Sequence, residues 1–172
     1  MSEGVLETKG TRLYFADPLS ASSSDPDGVV ILYVACPTAI TGLGGSKPQI
    51  NKSCLGSEED EFFPGRPSPG QISVPFNAIF RSAAHQALID LDASSRIISW
   101  MVVFSDAAAN SDFPTSVDSD DRLVSAGPTT VEFMGYVSDL NFDLNQNEIV
   151  RGTLVIQRTG AKVWDLPTAD LD

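Results

Sequence analysis

FMGYVSDLNFDLNQNEIVRGTLVIQRTG, residues 133–160, decides the fold. Leu140, Phe142 and Leu144 alternate with Asn141 and Asp143. Beyond the polar NQNE of residues 145–148, Val150, Leu154 and Ile156 are spaced by Arg151, Thr153, Val155, Gln157 and Thr159. A period of two belongs to a strand, whose side chains point alternately to its two faces. The stretch therefore predicts two antiparallel strands joined by a turn, each with an apolar face and a mostly polar one. It offers no catalytic group, so its regularity calls for a structural reason.

Working outward, four more strands are legible. TRLYFA (11–16) is short and closed by Asp17 and Pro18; VVILYVAC (29–36) is a β-branched apolar run of the kind buried on both faces. In QISVPF (71–76), Ile72, Val74 and Phe76 point one way, and Pro75 suggests an edge or bulge. RIISWMVVFS (96–105) reads as a further buried strand. Between the last two, Phe80, Ala84, Ala87, Leu88 and Leu91 recur at helical spacing, which predicts one short amphipathic helix over about 82–92 with Ser82 as its N-cap.

Two segments break this regularity. Residues 38–70 are punctuated by Gly42, Gly44, Gly45, Pro48, Pro64, Pro67 and Pro69, and predict a long loop with at most a short strand near 48–55. Its acidic run Glu58, Glu59, Asp60, Glu61 leads directly into Phe62 and Phe63. The acids read as a solvated face; the two phenylalanines either dock on another chain or pack back on their own. Residues 106–128 form a second polar loop, with at most a short strand at 122–126. The expectation is one domain over 1–172, with a flexible N-terminal arm at 1–11 and a C-terminal arm at 161–172.

With 172 residues, 42% of them hydrophobic and 20% charged, the chain is long enough to bury a core without disulfides or metals. No apolar run approaches a membrane span, and the first residues do not read as a secretory leader. Eleven basic side chains against twenty-three acidic ones give a formal charge of −12. That sign opposes gripping nucleic acid, although acidic or neutral walls would let a polyanion slide past. Cys36 and Cys54 have neither metal-ligand nor framework spacing and are expected to be buried free thiols.

The usual chemical constellations are missing. The single histidine, His85, sits in the predicted helix among alanines, without a nucleophile elbow or a metal-ligand partner, and reads as a helix-face residue with a local hydrogen bond. The GLGG of residues 42–45 lacks the GK[ST] ending of a phosphate loop. Nothing singles out a pair of carboxylates for hydrolysis. The expectation is no enzyme, no metal and no cofactor.

As a set, TGLGGSKPQINKSCL, GQISVPFNAIFRSAAHQAL and residues 133–160 resemble the major tail tube proteins of long-tailed bacteriophages. The resemblance implies a mainly β fold, a β-sandwich of two packed sheets flanked by one short α-helix. It also implies six copies per ring, rings stacked into a tube, and neighbouring sheets joined into a barrel around a channel. Such a chain belongs to the virion tail, is assembled in the host cytoplasm and does not insert into membranes. Its partners are itself, a tail terminator, a tape measure protein and baseplate or distal-tail proteins, and DNA passes through during ejection without specific binding. On that reading Glu58, Glu59, Asp60, Glu61, Phe62 and Phe63 are candidate inter-ring residues. Asn141, Asp143, Glu148, Thr153 and Gln157 are candidate lumen residues, although the same faces could form the outer surface. The alternatives are a tail terminator or distal-tail protein of similar fold, or a β-sandwich module that binds a receptor or carbohydrate.

Overall fold

The computed structural model describes residues 9–17, 29–54, 58–105, 114, 116–125 and 128–166. The N-terminal arm before Lys9 and the tail after Leu166 lie outside the described residues. In chain order the elements are β1 (Arg12–Asp17), β2 (Val30–Tyr33), β3 (Gly45–Ser46), β4 (Gln49–Asn51), β5 (Phe62–Pro64), β6 (Ser68–Pro69) and β7 (Gln71–Asn77). They continue with α1 (Ala83–Ser94), β8 (Ile98–Val103), β9 (Ser116–Val117), β10 (Leu123–Val124), β11 (Thr130–Asp143) and β12 (Arg151–Asp165). The fold is mainly β, with one short helix, as the sequence predicts.

Six strands form one antiparallel sheet in the order β2-β1-β8-β11-β12-β7, and three two-strand ribbons, β9–β10, β3–β6 and β4–β5, lie outside it. The sheet curls until its ends meet. Val34 N–H still donates to Leu13 of β1 at 2.9 Å, but Thr38 N–H donates to Pro75 of β7 at 2.8 Å. Thr41 and Ser73 then exchange two backbone bonds of 3.0 Å. The chain turns between these partners at Cys36, a non-glycine residue with φ of 52°. The two layers expected from the sequence are thus the two halves of one folded-over sheet, stitched by residues 34–41.

Between the halves lies the core: Leu13 and Phe15 from β1, Ile72, Val74 and Phe76 from β7, Trp100 from β8, Phe133 from β11, Leu154 and Ile156 from β12. Helix α1 closes it with Ala84, Ala87, Leu88 and Leu91, the residues whose spacing predicted it. Trp100 is fully buried, and its indole N–H donates to Gly135 O at 3.1 Å, so the largest apolar side chain leaves no polar atom unpaired. A smaller cluster of Tyr14, Ala16, Met101, Val103 and Leu123 fills the other face of β1 and β8 beneath the β9–β10 ribbon.

Two expectations are corrected. Cys36 and Cys54 are both exposed, because each sits in an irregular stretch between strands rather than on a core face. The apolar run 29–36 is not buried on both faces: β2 is the sheet's terminal strand, and Tyr33 is 55% exposed. Apolar periodicity reports composition, whereas burial depends on having a strand or layer on each side.

Candidate assembly surface

The hairpin β11–β12 holds the surface most directly predicted from sequence. Its core face runs straight across three strands. Leu140 opposes Leu154, which opposes Val74; Phe142 opposes Gly152, which opposes Phe76. Gly152 is needed there, since a Cβ would come within 2.4 Å of the Phe76 ring. The other face carries Asn141 beside Thr153, Asp143 beside Arg151, and Gln157 beside Gln71. Asn141, Asp143, Thr153 and Gln157 therefore share one polar face, continued by Ser73 and Asn77 of β7, while Glu148 lies in the turn. Asp139 adds one more acid and Arg151 offsets Asp143, so the face is polar and weakly acidic rather than strongly charged.

A bulge sets this alternation. Val137 pairs with Ile156 and Asp139 with Val155, leaving Ser138 as the extra residue, whose hydroxyl donates to Val155 O at 3.2 Å. The insertion moves the core face from odd positions such as Val131 and Phe133 to Leu140 and Phe142.

The same hairpin has two unpaired edges. Pairing of β11 with β8 ends at Gly135, and pairing of β12 with β7 ends at Gln157. Among the described residues, Tyr136–Asp143 and the 158–165 stretch of β12 therefore pair on one side only, and these open edges lie on opposite sides of the hairpin. Open backbone edges of this length invite strand addition by another chain.

The acidic and aromatic candidates sit elsewhere, on a projecting arm. β3–β6 is its stem and β4–β5 its tip, with Ile50 opposite Phe63 and Asn51 opposite Phe62. Phe62 and Phe63 are each 53% exposed, so neither packs into the protomer's core. Glu61 pairs with Lys52 at 3.3 Å, Asp60 accepts from Ser53 Oγ at 3.0 Å, and the Lys52 ammonium sits 4.8 Å from the Phe63 ring centroid. Glu58 and Glu59 stand next to them at the exposed start of the β5 approach. These contacts give the tip a shape of its own.

His85 is structural. Its Nδ1 accepts the Ile79 N–H at 2.9 Å, which leaves Nε2–H to donate to Ala35 O at 3.2 Å, and its ring packs 4.8 Å from that of Phe76. It clamps the turn before α1 to the crossing segment after β2. Among the described residues no helix is long and apolar enough to cross a membrane.

Several features were not read from the sequence. Ser99 Oγ donates to Glu132 at 2.9 Å and accepts the Leu123 N–H at 3.0 Å, while Arg122 approaches the same carboxylate at 3.5 Å. Burial raises the Glu132 pKa above the usual carboxylate range, with Ser99 and Arg122 opposing that shift and Asp118 adding to it. Arg158, only 6% exposed, was also missed; it donates from Nη1 to Leu43 O at 3.1 Å. A Ser-to-Glu or Arg-to-backbone contact across the fold has no local sequence period that could announce it.

The model of the family "Phage tail tube, TTP, lambda-like" matches residues 4–168. The chain belongs to that family. "Structural protein 3" of Pseudomonas phage PAJU2 is 29% identical over 163 residues, covering 92% of this chain and 93% of the phage protein. The SPP1 tail tube is similar in fold, with a TM-score of 0.64 at 10% identity over 96% of this chain and 81% of that one. A chain of the virion of a native gene transfer agent particle gives 0.63 at 10% identity, covering 94% and 99%. This tail tube protein is therefore a structural component of the virion tail, and its overall fold is similar to that of a solved tail tube.

Proposed function

We propose that copies of this chain join edge to edge into six-fold rings that stack into a hollow tube, the conduit for DNA ejection. The observation that carries this reading is the staggered hairpin: Tyr136–Asp143 is open on one side and the 158–165 stretch on the other. An edge of one copy added to the opposite edge of the next makes a head-to-tail contact, and such a contact closes into a ring when the rotation between copies allows it. Each added strand satisfies backbone groups that would otherwise invite uncontrolled association.

Joining copies this way sets their polar faces side by side. Asn141, Asp143, Thr153 and Gln157, with Glu148 at the turn, then line the channel, and the helix-covered face points outward. A six-fold ring would gather roughly seventy formal negative charges at −12 per copy, and whichever share reaches the lumen repels phosphates. DNA slides where few cations are free to hold it, and on this face Arg151 stands opposite Asp143. The arm carrying Glu58, Glu59, Asp60, Glu61, Phe62 and Phe63 contacts the next ring. Tail terminator, tape measure and baseplate or distal-tail proteins meet the two ends of such a tube.

Electron microscopy of the purified chain tests the reading: hollow tubes or six-fold rings are expected, and persistent monomers at high concentration overturn it. Asn141→Arg with Thr153→Arg tests the lumen. Tubes of normal diameter but with slowed, salt-sensitive DNA release are expected; unchanged release places those faces outside.

A further inference from the structure

A groove of about 740 Å³ opens where the crossing segment meets the end of β8, with walls from Pro37, Ile40, Leu43, Val102 and Phe104 and with Lys9 at its mouth. Among the described residues no acidic side chain lines it, although the whole chain carries −12. Ile40, Leu43 and Phe104 rest on the main core, so the groove opens at one end of that core.

Two more cations stand at its rim. Lys162 Nζ and Arg158 Nη1 both donate to the Leu43 carbonyl, at 2.7 and 3.1 Å. Arg158 Nε is buried with no hydrogen-bond partner, and neither side chain pairs with a carboxylate of the described residues. A buried guanidinium without an acid is unusual, because an unpaired buried charge is costly. On the far wall, Phe104 stacks on Trp164 with centroids 6.0 Å apart, and Lys162 lies 5.4 Å from the Trp164 ring. Among the described residues the site is therefore apolar in the middle, cationic at the edge and lacking in carboxylates.

The tip of the arm has the complementary inventory. Ile50, Phe62 and Phe63 are more than half exposed, and the run Glu58–Glu61 precedes the two aromatics. The arm also starts at the groove: Leu43 forms the rim, and β3 begins two residues later at Gly45. From there to the tip at Asn51 the chain spans roughly 20 Å at about 3.3 Å per residue. An arm that leaves one groove and ends in a group that fits the same groove on another copy makes a head-to-tail contact, which builds a stack when the rotation between copies does not close it.

We propose that this groove receives the β4–β5 ribbon of a second copy, with Phe62 and Phe63 filling the apolar floor and the acidic run meeting Lys9, Lys162 and Arg158. The inference rests on the reading that the arm joins successive rings, and adds the surface on which it lands. Association is then both apolar and charge-assisted.

The test replaces Phe63 with a benzophenone-bearing phenylalanine, assembles tubes from a mixture with isotope-labelled native chain, and maps the crosslinks by mass spectrometry. Crosslinks from position 63 to residues 9–11, 37–43, 102–104 or 162 of a different copy are expected. Tubes whose crosslinks fall on another surface, or only within one chain, overturn the groove assignment while leaving the tube itself intact; absence of tubes from the native chain instead overturns the underlying reading. Should benzophenone at 63 prevent assembly, the same probe at Ile50 reports on the same tip. In parallel, Lys9→Glu, a change at an exposed side chain of the groove, should raise the critical concentration for tube formation about tenfold or more, with an unchanged melting temperature of the monomer. An unchanged critical concentration overturns the proposal.

Discussion

The hairpin β11–β12 and the ribbon β4–β5 are both antiparallel pairs bearing phenylalanines, yet Phe133 is fully buried while Phe62 and Phe63 are each 53% exposed. The hairpin lies between β8 and β7 with α1 above it; the ribbon's strands pair only with each other. Protomer stability therefore resides in the first, and the second presents apolar surface outside the core of the described residues. Damage to the core side should be read in unfolding free energy, and damage to the arm in assembly.

The largest effect expected on the core side is Trp100→Ala, at about 3–5 kcal/mol, because it empties a large buried volume and strands the Gly135 carbonyl. Denaturant unfolding measures it, and a loss below about 1 kcal/mol would mean the core is organised elsewhere. Next comes Gly152→Ala, at about 1–3 kcal/mol from overpacking against Phe76. Combining it with Phe76→Leu should cost less than the two changes added together, since the smaller side chain makes room for the methyl; simple additivity would show that the two sites do not touch.

A smaller effect is expected at Glu132, and its sign depends on pH. Burial raises the folded-state pKa, so the folded chain binds this proton more tightly than the unfolded one. That contribution to stability is fully present below the unfolded-state pKa and is lost as pH rises through the raised folded value. Relative to Glu132→Gln, the native chain should accordingly lose stability over that window as pH rises and stay level above it. Urea unfolding across a pH series measures the difference, and a flat or opposite slope breaks the account. Smallest on the protomer is Phe62→Ser with Phe63→Ser, expected to change unfolding by no more than about 0.5 kcal/mol while abolishing tubes. A loss of several kcal/mol would return the ribbon to the core and erase the contrast between the two regions.

The parts of the fold that were legible share one property: they are periodic over a few adjacent residues. Leu140 and Phe142 against Leu154 and Ile156 announced the hairpin, and Ala84, Ala87, Leu88 and Leu91 announced the helix, because one face of each had to find apolar cover. Asn141, Asp143, Thr153 and Gln157 were placed on a common face by the same alternation, and the structure brings them together. The aromatic pair Phe62–Phe63 was conspicuous as apolar residues next to an acidic run, though the sequence left open whether they turned inward.

What was not legible depends on partners distant in sequence. The extra residue Ser138 changes which positions of β11 face the core, and no composition signal marks it. The crossing at Cys36, which lets one segment bond both β1 and β7, looks like an ordinary strand end before a proline. Gly152 is a glycine because of a phenyl ring from β7, and Arg158 is buried because its guanidinium reaches a carbonyl of residue 43.

By itself, then, the sequence determined the main strands of the sheet, the helix and the two faces of the hairpin, since each follows from side-chain alternation and local backbone preference, while the ribbons within 45–69 and the exposure of Phe62 and Phe63 did not follow from it. Only the tertiary structure decided that one sheet folds over to make both layers, which edges of the described strands stay unpaired, and where a cation-rimmed groove opens at the end of the core. Those outcomes depend on the register between strands far apart in the chain, and register is fixed by how side chains from different elements fill the same space.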